Sequence, residues 1–159
     1  MPKLTHIIYL LFLTFGLTAC SNDTVFDAYI QVPENGWDYK QQATFNFNIT
    51  DTTSWYDLYI NVRNNGDYPY QNLYVFTTLK GPNNLAVRDT FNCILADKKG
   101  KWLGSGVGKT RDLQILYQKQ IRFLQSGEYT FAIEQAMRDT LLQGISDIGF
   151  TVKKHTETE

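Results

Sequence analysis

The sequence predicts one all-β domain, a single antiparallel β-sandwich, behind a short apolar leader. Three observations support this fold class. Apolar and polar residues alternate with a period of two, turn-forming residues separate the alternating stretches, and aromatic residues make up 14% of the 159-residue chain. A chain of this length corresponds to about one domain, and its aromatic side chains bury enough apolar area for a packed core. Short alternating strands separated by turns are typical of antiparallel sandwiches.

Five stretches alternate in the way expected of a strand that is buried on one face. Their inward positions are Phe45, Phe47 and Ile49; Leu58, Ile60 and Val62; Leu73, Val75, Thr77 and Leu79; Tyr129, Phe131 and Ile133; and Ile148, Phe150 and Val152. Turns are predicted at 35–36, 64–67, 81–84, 99–100 and 126–127, each of which contains a Gly. Residues 113–123 fit either a strand or a short helix. Residues 134–138 contain helix formers but continue directly from a strand.

These patterns divide the chain into four segments. Residues 1–19 are predicted to be a cleaved lipoprotein signal peptide, 20–25 a lipidated flexible stub, 26–152 the β-sandwich domain and 153–159 a loose polar tail. The tail is expected to be loose because it is both terminal and polar.

The first twenty residues, MPKLTHIIYLLFLTFGLTAC, predict export followed by lipid attachment. The apolar run at 7–17 is too short to span a bilayer as a helix and suits a secretory signal peptide. The letters LTAC at 17–20 resemble the bacterial lipobox that the lipoprotein signal peptidase reads. That resemblance implies a diacylglycerol on the thiol of Cys20 and cleavage before this residue. A plain secretory signal and a buried core helix are the alternatives.

Lipid attachment at Cys20 determines the predicted location. One acyl chain binds a membrane only marginally, whereas two or three chains anchor a protein firmly. The polar residues after Cys20 contain no dense acidic cluster of the kind that some lipoproteins use as a surface-export tag. We therefore predict a cell-envelope protein that is lipid-anchored in the outer membrane and faces the periplasm. Cys93 lies on an alternating apolar face, which predicts a buried thiol.

The stretch KWLGSGVGKT at 101–110 ends like a phosphate-binding loop, but its context argues against nucleotide binding. Gly108-Lys109-Thr110 matches the end of that motif, whereas Leu103 stands where the motif requires its first Gly. Glycine at that point permits the tight turn around a phosphate, and leucine resists it. The segment also follows a polar stretch rather than a buried strand. We interpret its glycines as a loop that passes closely over the sheet or a partner.

The remaining composition argues against catalysis. The two histidines are His6, in the leader, and His155, in the predicted tail, so the domain lacks the usual general base and zinc ligand. The candidate carboxylates in the domain include Asp51, Asp57, Asp67, Asp89, Asp97, Glu128 and Glu134. Their spacing indicates neither an acid–base pair nor a calcium loop. The balance of 15 Lys and Arg against 16 Asp and Glu gives no basic surface for nucleic acid. We predict no enzymatic activity, no metal and no cofactor other than the lipid.

Several stretches resemble the gliding-motility lipoprotein GldH family. They are DTTS at 51–54, YINVRN at 59–64, DYPY at 67–70, LAD at 95–97, GKWLGSG at 100–106 and IEQAMR at 133–138, together with the lipobox cysteine. The similarity covers nearly the whole chain after the leader. It implies a non-enzymatic accessory lipoprotein of the gliding machinery, which is linked to type IX secretion, with other gliding or secretion envelope lipoproteins or subunits as partners. The family offers no catalytic residues to carry over.

Aromatic residues in predicted loops are the candidate partner-binding residues. Tyr68 and Tyr70 flank a Pro, and Trp102 lies in the Gly-rich loop. Exposed aromatics anchor protein interfaces. They also stack on sugars, so a glycan-binding module is the alternative function. A third interpretation is that these rings fold back onto the core, as large aromatics usually do, and Trp37 and Trp55 are assigned to packing on that ground.

Overall fold

The computed structural model describes residues 23–156, which form ten strands and contain no helix. The strands are β1 (Thr24–Gln31), β2 (Trp37–Asp38), β3 (Ala43–Ile49), β4 (Tyr56–Asn64), β5 (Asn72–Lys80), β6 (Ala86–Ile94), β7 (Arg111–Ile121), β8 (Gly127–Gln135), β9 (Leu141–Leu142) and β10 (Ile145–Lys154). The ambiguous segment at 113–123 is therefore strand as far as Ile121, where β7 ends, and the helix formers at 134–138 extend β8 only to Gln135. Residues 23–156 offer no helix that could cross a bilayer.

Eight of the strands form two four-stranded sheets. The first sheet has the order β1-β10-β4-β7, the second has the order β3-β8-β5-β6, and β2 pairs with β9 as a separate ribbon. All of these pairings are antiparallel. The chain passes back and forth between the two sheets in the strand order of a jelly roll, which is built from two Greek keys. The structure confirms the predicted all-β fold and its antiparallel sandwich.

Aromatic rings from both sheets fill the core between them. Buried and exposed positions alternate strictly along β3, so its inward face meets the first sheet. Phe131 of the second sheet stacks on Phe150 of the first with ring centres 4.0 Å apart, and Phe26 contacts Phe47 at 5.6 Å. Full burial of such a side chain contributes about 1.5–3 kcal/mol. These contacts hold the two sheets together.

The C-terminal segment is ordered further than the sequence predicts. The last strand ends at Lys154, two residues beyond the predicted domain boundary. His155 is also fixed, because its Nδ1 lies 2.8 Å from Asp57 Oδ2 and its Nε2 lies 2.9 Å from the side-chain amide of Gln120. The prediction of a loose tail at 153–159 is therefore wrong for its first residues, which strand pairing and side-chain hydrogen bonds hold on the sheet.

At the other terminus the sheet includes part of the predicted stub. Strand β1 begins at Thr24 rather than at residue 26. The backbone N–H of Lys154 donates to the carbonyl of Asp23 at 2.7 Å, which places the start of the described chain beside the last strand. Cys20, the predicted site of lipid attachment, lies outside the described residues, as does the leader at 1–19.

The loops lie at two opposite ends of the sandwich. The end that holds Asp23 and His155, which we call the terminal end, carries the loops at 50–55, 81–85 and 122–126. The opposite end, which we call the cleft end, carries the loops at 32–36, 65–71, 95–110 and 136–140. The predicted aromatic residues at 68, 70 and 102 therefore belong to one end of the molecule.

The predicted packing role is confirmed for Trp37 and wrong for Trp55. Trp37 is buried, and its indole N–H donates to the carbonyl of Gln41 at 2.9 Å. Trp55 is half exposed at the terminal end, where the guanidinium of Arg122 lies 5.6 Å from its ring centre. The next residue, Tyr56, begins β4 and takes the core position, so the alternation of the strand directs Trp55 to solvent.

Candidate functional site

Two loops at the cleft end bring the three predicted partner-binding aromatics together. The 65–71 loop carries Tyr68 and Tyr70, and the 95–110 loop carries Trp102. The ring centres of Tyr68 and Tyr70 lie 5.8 Å apart, and those of Tyr68 and Trp102 lie 6.4 Å apart. Tyr68 is thus the middle ring of a cluster of three.

Tyr68 is a core residue. Its side chain is 4% exposed, and its hydroxyl donates to the carbonyl of Asn72 at 2.8 Å. Burial raises the pKa of Tyr68 well above its ordinary value. Its backbone is covered too, because a Cβ atom on Gly144 would lie 2.5 Å from the Cα of Tyr68. The ring folds back onto the core, so Tyr68 supports its neighbours and is not an accessible contact.

Tyr70 and Trp102 are more accessible than Tyr68. Tyr70 is exposed, and its hydroxyl donates to Asp139 Oδ2 at 2.7 Å, a bond that raises the pKa of Tyr70. Trp102 is half-buried, packs against the core and forms a β-bridge with Ala96. A partner-binding role stays a prediction for both, and Tyr70 presents the more accessible ring.

Asp139 connects Tyr70 to an open depression of about 410 Å³ on the second sheet, which we call the aromatic cleft. The exposed rings of Tyr39 and Phe76 line this cleft, together with the unbranched side chain of Met137. Tyrosine, phenylalanine and methionine are enriched at the centres of protein interfaces. The lining of the cleft therefore has the composition expected of a surface that binds a protein partner.

The wall of the cleft is formed by the end of β8 and by residues 136–140, which have no regular secondary structure. Hydrogen bonds hold this wall in place. The side-chain amide of Gln135 donates to the carbonyl of Asp139 at 2.7 Å, and its Oε1 accepts the backbone N–H of Met137 at 2.8 Å. The backbone N–H of Tyr39 donates to the carbonyl of Thr140 at 3.0 Å, which ties the β2–β9 ribbon to the wall. Because Gln135 is buried and uses both ends of its amide, the wall has a defined shape before any partner binds.

One ion pair borders the cleft. Arg88 Nη2 lies 2.9 Å from Glu134 Oε2, and the same guanidinium lies 4.8 Å from the ring centre of Phe76. The side-chain amide of Gln42 also donates to Glu134. The hydrogen bond from Arg88 holds the pKa of Glu134 below its ordinary range, so this carboxylate stays ionised. The rim of the cleft therefore carries the negative charge of Glu134 and the positive charge of Arg88, the latter beside the exposed ring of Phe76.

Sequence reasoning missed Tyr39, Phe76 and Met137. A signal existed for Phe76, because Tyr74 and Phe76 occupy the polar face of β5, where exposed aromatics are informative. Met137 lies within the IEQAMR stretch of the family resemblance. Tyr39 gave no local signal, since it reaches the cleft only through the pairing of β2 with the distant β9.

Three features of the described residues concern metal binding and reactive side chains. No group of three or more His, Cys, Asp or Glu within 23–156 is placed to hold a metal ion. Cys93 is buried as predicted, and burial raises the pKa of its thiol to about 12, which keeps it protonated and unreactive. His155 pairs with Asp57, but its second ring nitrogen faces the amide of Gln120 rather than a hydroxyl or thiol.

The segment that resembles a phosphate-binding loop folds back onto β7. Ser105 and Asp112 exchange two backbone hydrogen bonds of 3.1 and 2.8 Å. Lys109 is exposed and lies 3.9 Å from Asp67. The segment leads into a strand, whereas a phosphate-binding loop leads into a helix whose N-terminus faces the phosphate. The segment therefore lacks the strand-to-helix geometry of a phosphate-binding loop.

The fold and the surface together define the class of protein: a jelly-roll β-sandwich whose loops build an aromatic cleft at one end. Residues 24–152 match the family model described as GldH lipoprotein. The chain is 33% identical to the gliding motility lipoprotein GldH homolog of Christiangramia forsetii, over 97% of this chain and 98% of that protein. It is 29% identical to the gliding motility lipoprotein GldH of Flavobacterium johnsoniae, over 87% and 89%. The chain belongs to the GldH lipoprotein family, which makes it a membrane-anchored lipoprotein of the cell envelope.

Solved structures resemble the chain only distantly. A family GH115 4-O-methyl-alpha-glucuronidase superposes with a TM-score of 0.42 at 12% identity, over 84% of this chain and 18% of the enzyme. The VP2 subviral particle of infectious bursal disease virus gives a TM-score of 0.33 at 14% identity, over 82% of this chain and 30% of that chain. Scores this low carry no argument about function.

Proposed function

We propose that this lipoprotein is a non-enzymatic accessory of the gliding-motility machinery and of the type IX secretion linked to it. Its aromatic cleft binds another protein of the envelope. The cleft is the observation that carries this proposal, because exposed rings and a Met side chain surround a wall whose shape is already fixed. Such a composition, with an Arg at the rim, is that of a protein interface. Family membership supports the link to gliding.

The anchor is the second part of the proposal. Cys20 carries a diacylglycerol and an acyl chain, which together exceed the single chain that binds only marginally. The anchor holds the domain at the outer membrane, on the periplasmic side. A tethered domain meets membrane-bound partners at a high effective concentration, so a modest affinity of the cleft is sufficient.

Genetic complementation tests the cellular role. In a host strain that lacks the gene, the wild-type gene is expected to restore colony spreading and protein secretion. The Cys20→Ala variant cannot be acylated and is expected to restore neither, with immunoblotting as the check that the protein is made. Normal spreading and secretion in the deletion strain would refute the proposal.

A pull-down with matched surface variants tests the cleft. Combining Tyr39→Ser with Phe76→Ser removes two exposed rings and is expected to reduce recovery of envelope partners. Leu116→Ser is the control, since Leu116 is similarly exposed but lies on the first sheet. Tyr68→Ala is unsuitable because Tyr68 is buried. Unchanged recovery with the double variant, at an unchanged unfolding temperature, would exclude the cleft from the interface.

Glycan binding is the second candidate function. The exposed ring of Tyr70 donates a hydrogen bond to Asp139, and Asp139 lines the same cleft as the exposed ring of Tyr39. A sugar can stack on such a ring and donate hydrogen bonds to the carboxylate. Saccharides at millimolar concentration should then shift the amide signals of Tyr39 and Tyr70, and Tyr39→Ser should abolish the shifts. No response across a panel of polysaccharides would argue against this function.

A further inference from the structure

The terminal end of the sandwich exposes apolar side chains that do not belong to the core. Leu124 is 87% exposed, Leu85 is 70%, Val87 is 67% and Trp55 is 50%. Single exposed apolar residues are ordinary on a protein surface, whereas contiguous ones mark a contact surface. Their arrangement therefore decides whether they have a role.

These side chains are contiguous. Leu85, Val87 and Leu124 line one groove of about 320 Å³ between the start of β6 and the loop after β7. Arg122 lines the same groove, and its guanidinium lies 5.6 Å from the ring centre of Trp55. We call these five residues, Trp55, Leu85, Val87, Arg122 and Leu124, the terminal patch.

The terminal patch lies beside the point where the chain enters the domain. The backbone N–H of His155 donates to the carbonyl of Trp55 at 2.8 Å, and that of Lys154 donates to the carbonyl of Asp23 at 2.7 Å. Asp23 is three residues from Cys20 in the sequence. Three residues span at most about 11 Å even when fully extended. A lipid on Cys20 therefore holds Asp23 within about 11 Å of the membrane surface and turns the terminal end toward the membrane.

We propose that the terminal patch docks onto the phospholipid surface that holds the anchor, with the aromatic cleft facing away from that membrane. The inference rests on lipid attachment at Cys20 in the proposed function. Trp is favoured at the interface between headgroups and acyl chains, and apolar side chains such as Leu85 and Leu124 bury their surface there. The guanidinium of Arg122 reaches the phosphates while its stem stays among apolar groups.

The charges at the terminal end are balanced, so binding of this end to a membrane does not require an excess of anionic lipid. Lys154 is paired with Asp51 at 2.8 Å, so these two charges offset each other. Lys80 and Glu128 are both exposed at this end and have opposite signs. Arg122 therefore acts beside balanced charges, and the apolar side chains supply the attraction. A zwitterionic phosphatidylcholine surface is sufficient.

Tryptophan quenching tests the orientation. The mature protein is purified from host membranes and reconstituted in phosphatidylcholine vesicles whose acyl chains are brominated near the headgroup, and bound protein is isolated by flotation. Trp37 is buried, which leaves Trp55 and Trp102 as reporters at opposite ends of the sandwich. We expect Trp102→Phe to keep the quenching of the wild type and Trp55→Phe to lose it.

The outcomes of this experiment are distinct. Protein that floats with the vesicles but is not quenched, or is quenched only through Trp102, overturns the docking while leaving the anchor intact. Protein that does not float refutes attachment at Cys20, and the docking fails with it. Neither result depends on gliding or secretion, so the cellular role is tested separately.

A second variant keeps the test independent of Trp55. Leu85→Asp combined with Leu124→Asp places charges on the terminal patch, and we expect it to float like the wild type but to lose most of the quenching. Both residues are exposed, so the unfolding temperature should not change. Full quenching in this variant would overturn insertion of the patch.

Discussion

The turn at Gly144 is a backbone position at the cleft end that tolerates a side chain poorly. Gly144 has a φ of +87°, and a Cβ atom there would lie 2.5 Å from Tyr68 Cα and 2.6 Å from Tyr68 N. Its carbonyl also accepts the backbone N–H of Asn65 at 2.9 Å. The two segments therefore cannot separate to admit a methyl group without losing that hydrogen bond.

The expected cost of Gly144→Ala follows from these three features. A left-handed backbone conformation costs a non-glycine residue about 1–2 kcal/mol. Overpacking against neighbouring atoms adds about 1–3 kcal/mol, and a weakened hydrogen bond adds about 1 kcal/mol. We therefore expect the free energy of unfolding to fall by about 3–6 kcal/mol.

Gly108→Ala is the matched control for this measurement. Gly108 has a φ of +65°, but no atom lies within 4 Å of a Cβ placed on it. Only the conformational cost of about 1–2 kcal/mol applies. Both variants are unfolded in urea with far-ultraviolet circular dichroism as the signal. A loss for Gly144→Ala no larger than that for Gly108→Ala would show that the contact with Tyr68 relaxes freely, and the reasoning would fail.

Three further predictions concern the core, the thiol and acid stability. Phe150→Ala should lower the free energy of unfolding by about 3–5 kcal/mol, because it removes a fully buried ring from the contact between the sheets; a loss below about 1 kcal/mol in urea titration would contradict this. Cys93 should react with maleimide only after denaturation, so rapid labelling of the native protein would show that the thiol is not buried. Hydrogen bonds from Lys154 and neighbouring hydroxyls hold the pKa of Asp51 well below its ordinary range. The ionised carboxylate therefore adds stability above about pH 4 that is lost as the pH falls further, and Asp51→Asn should flatten the acid limb of stability against pH. An identical acid limb in both proteins would exclude that contribution.

The strands that sequence patterns identify are those with one clean buried face. Strand β3 alternates without interruption, so its prediction is confirmed residue by residue. Strand β6 is an edge strand whose first half is exposed on both faces, so its start carries no alternation. Strand β7 is ambiguous in sequence because its pairing with β4 contains register shifts and Gln120 has a positive φ of 52°. Bulges of this kind break the period of two.

The candidate site is less predictable than the fold because distant segments build it. Tyr70 and Trp102 are recognisable as loop aromatics, but nothing local distinguishes them from Tyr68, which takes the buried place. Tyr39 joins the cleft through the β2–β9 pairing, a contact with no local sequence signature. The exposure of Trp55 is predictable from the sequence, because β4 begins at Tyr56 and Tyr56 takes the buried position.

The place of β10 has a consequence for the genetics of this protein. It is the last of the strands within residues 23–156, yet it lies between β1 and β4 and pairs with both. A nonsense codon before Ile145 removes the strand that joins β1 to the rest of its sheet and takes Phe150 from the core. Late truncations should therefore behave as null alleles rather than as mild ones. Deletion mapping from the 3′ end of the gene will then report on folding before it reports on partner binding.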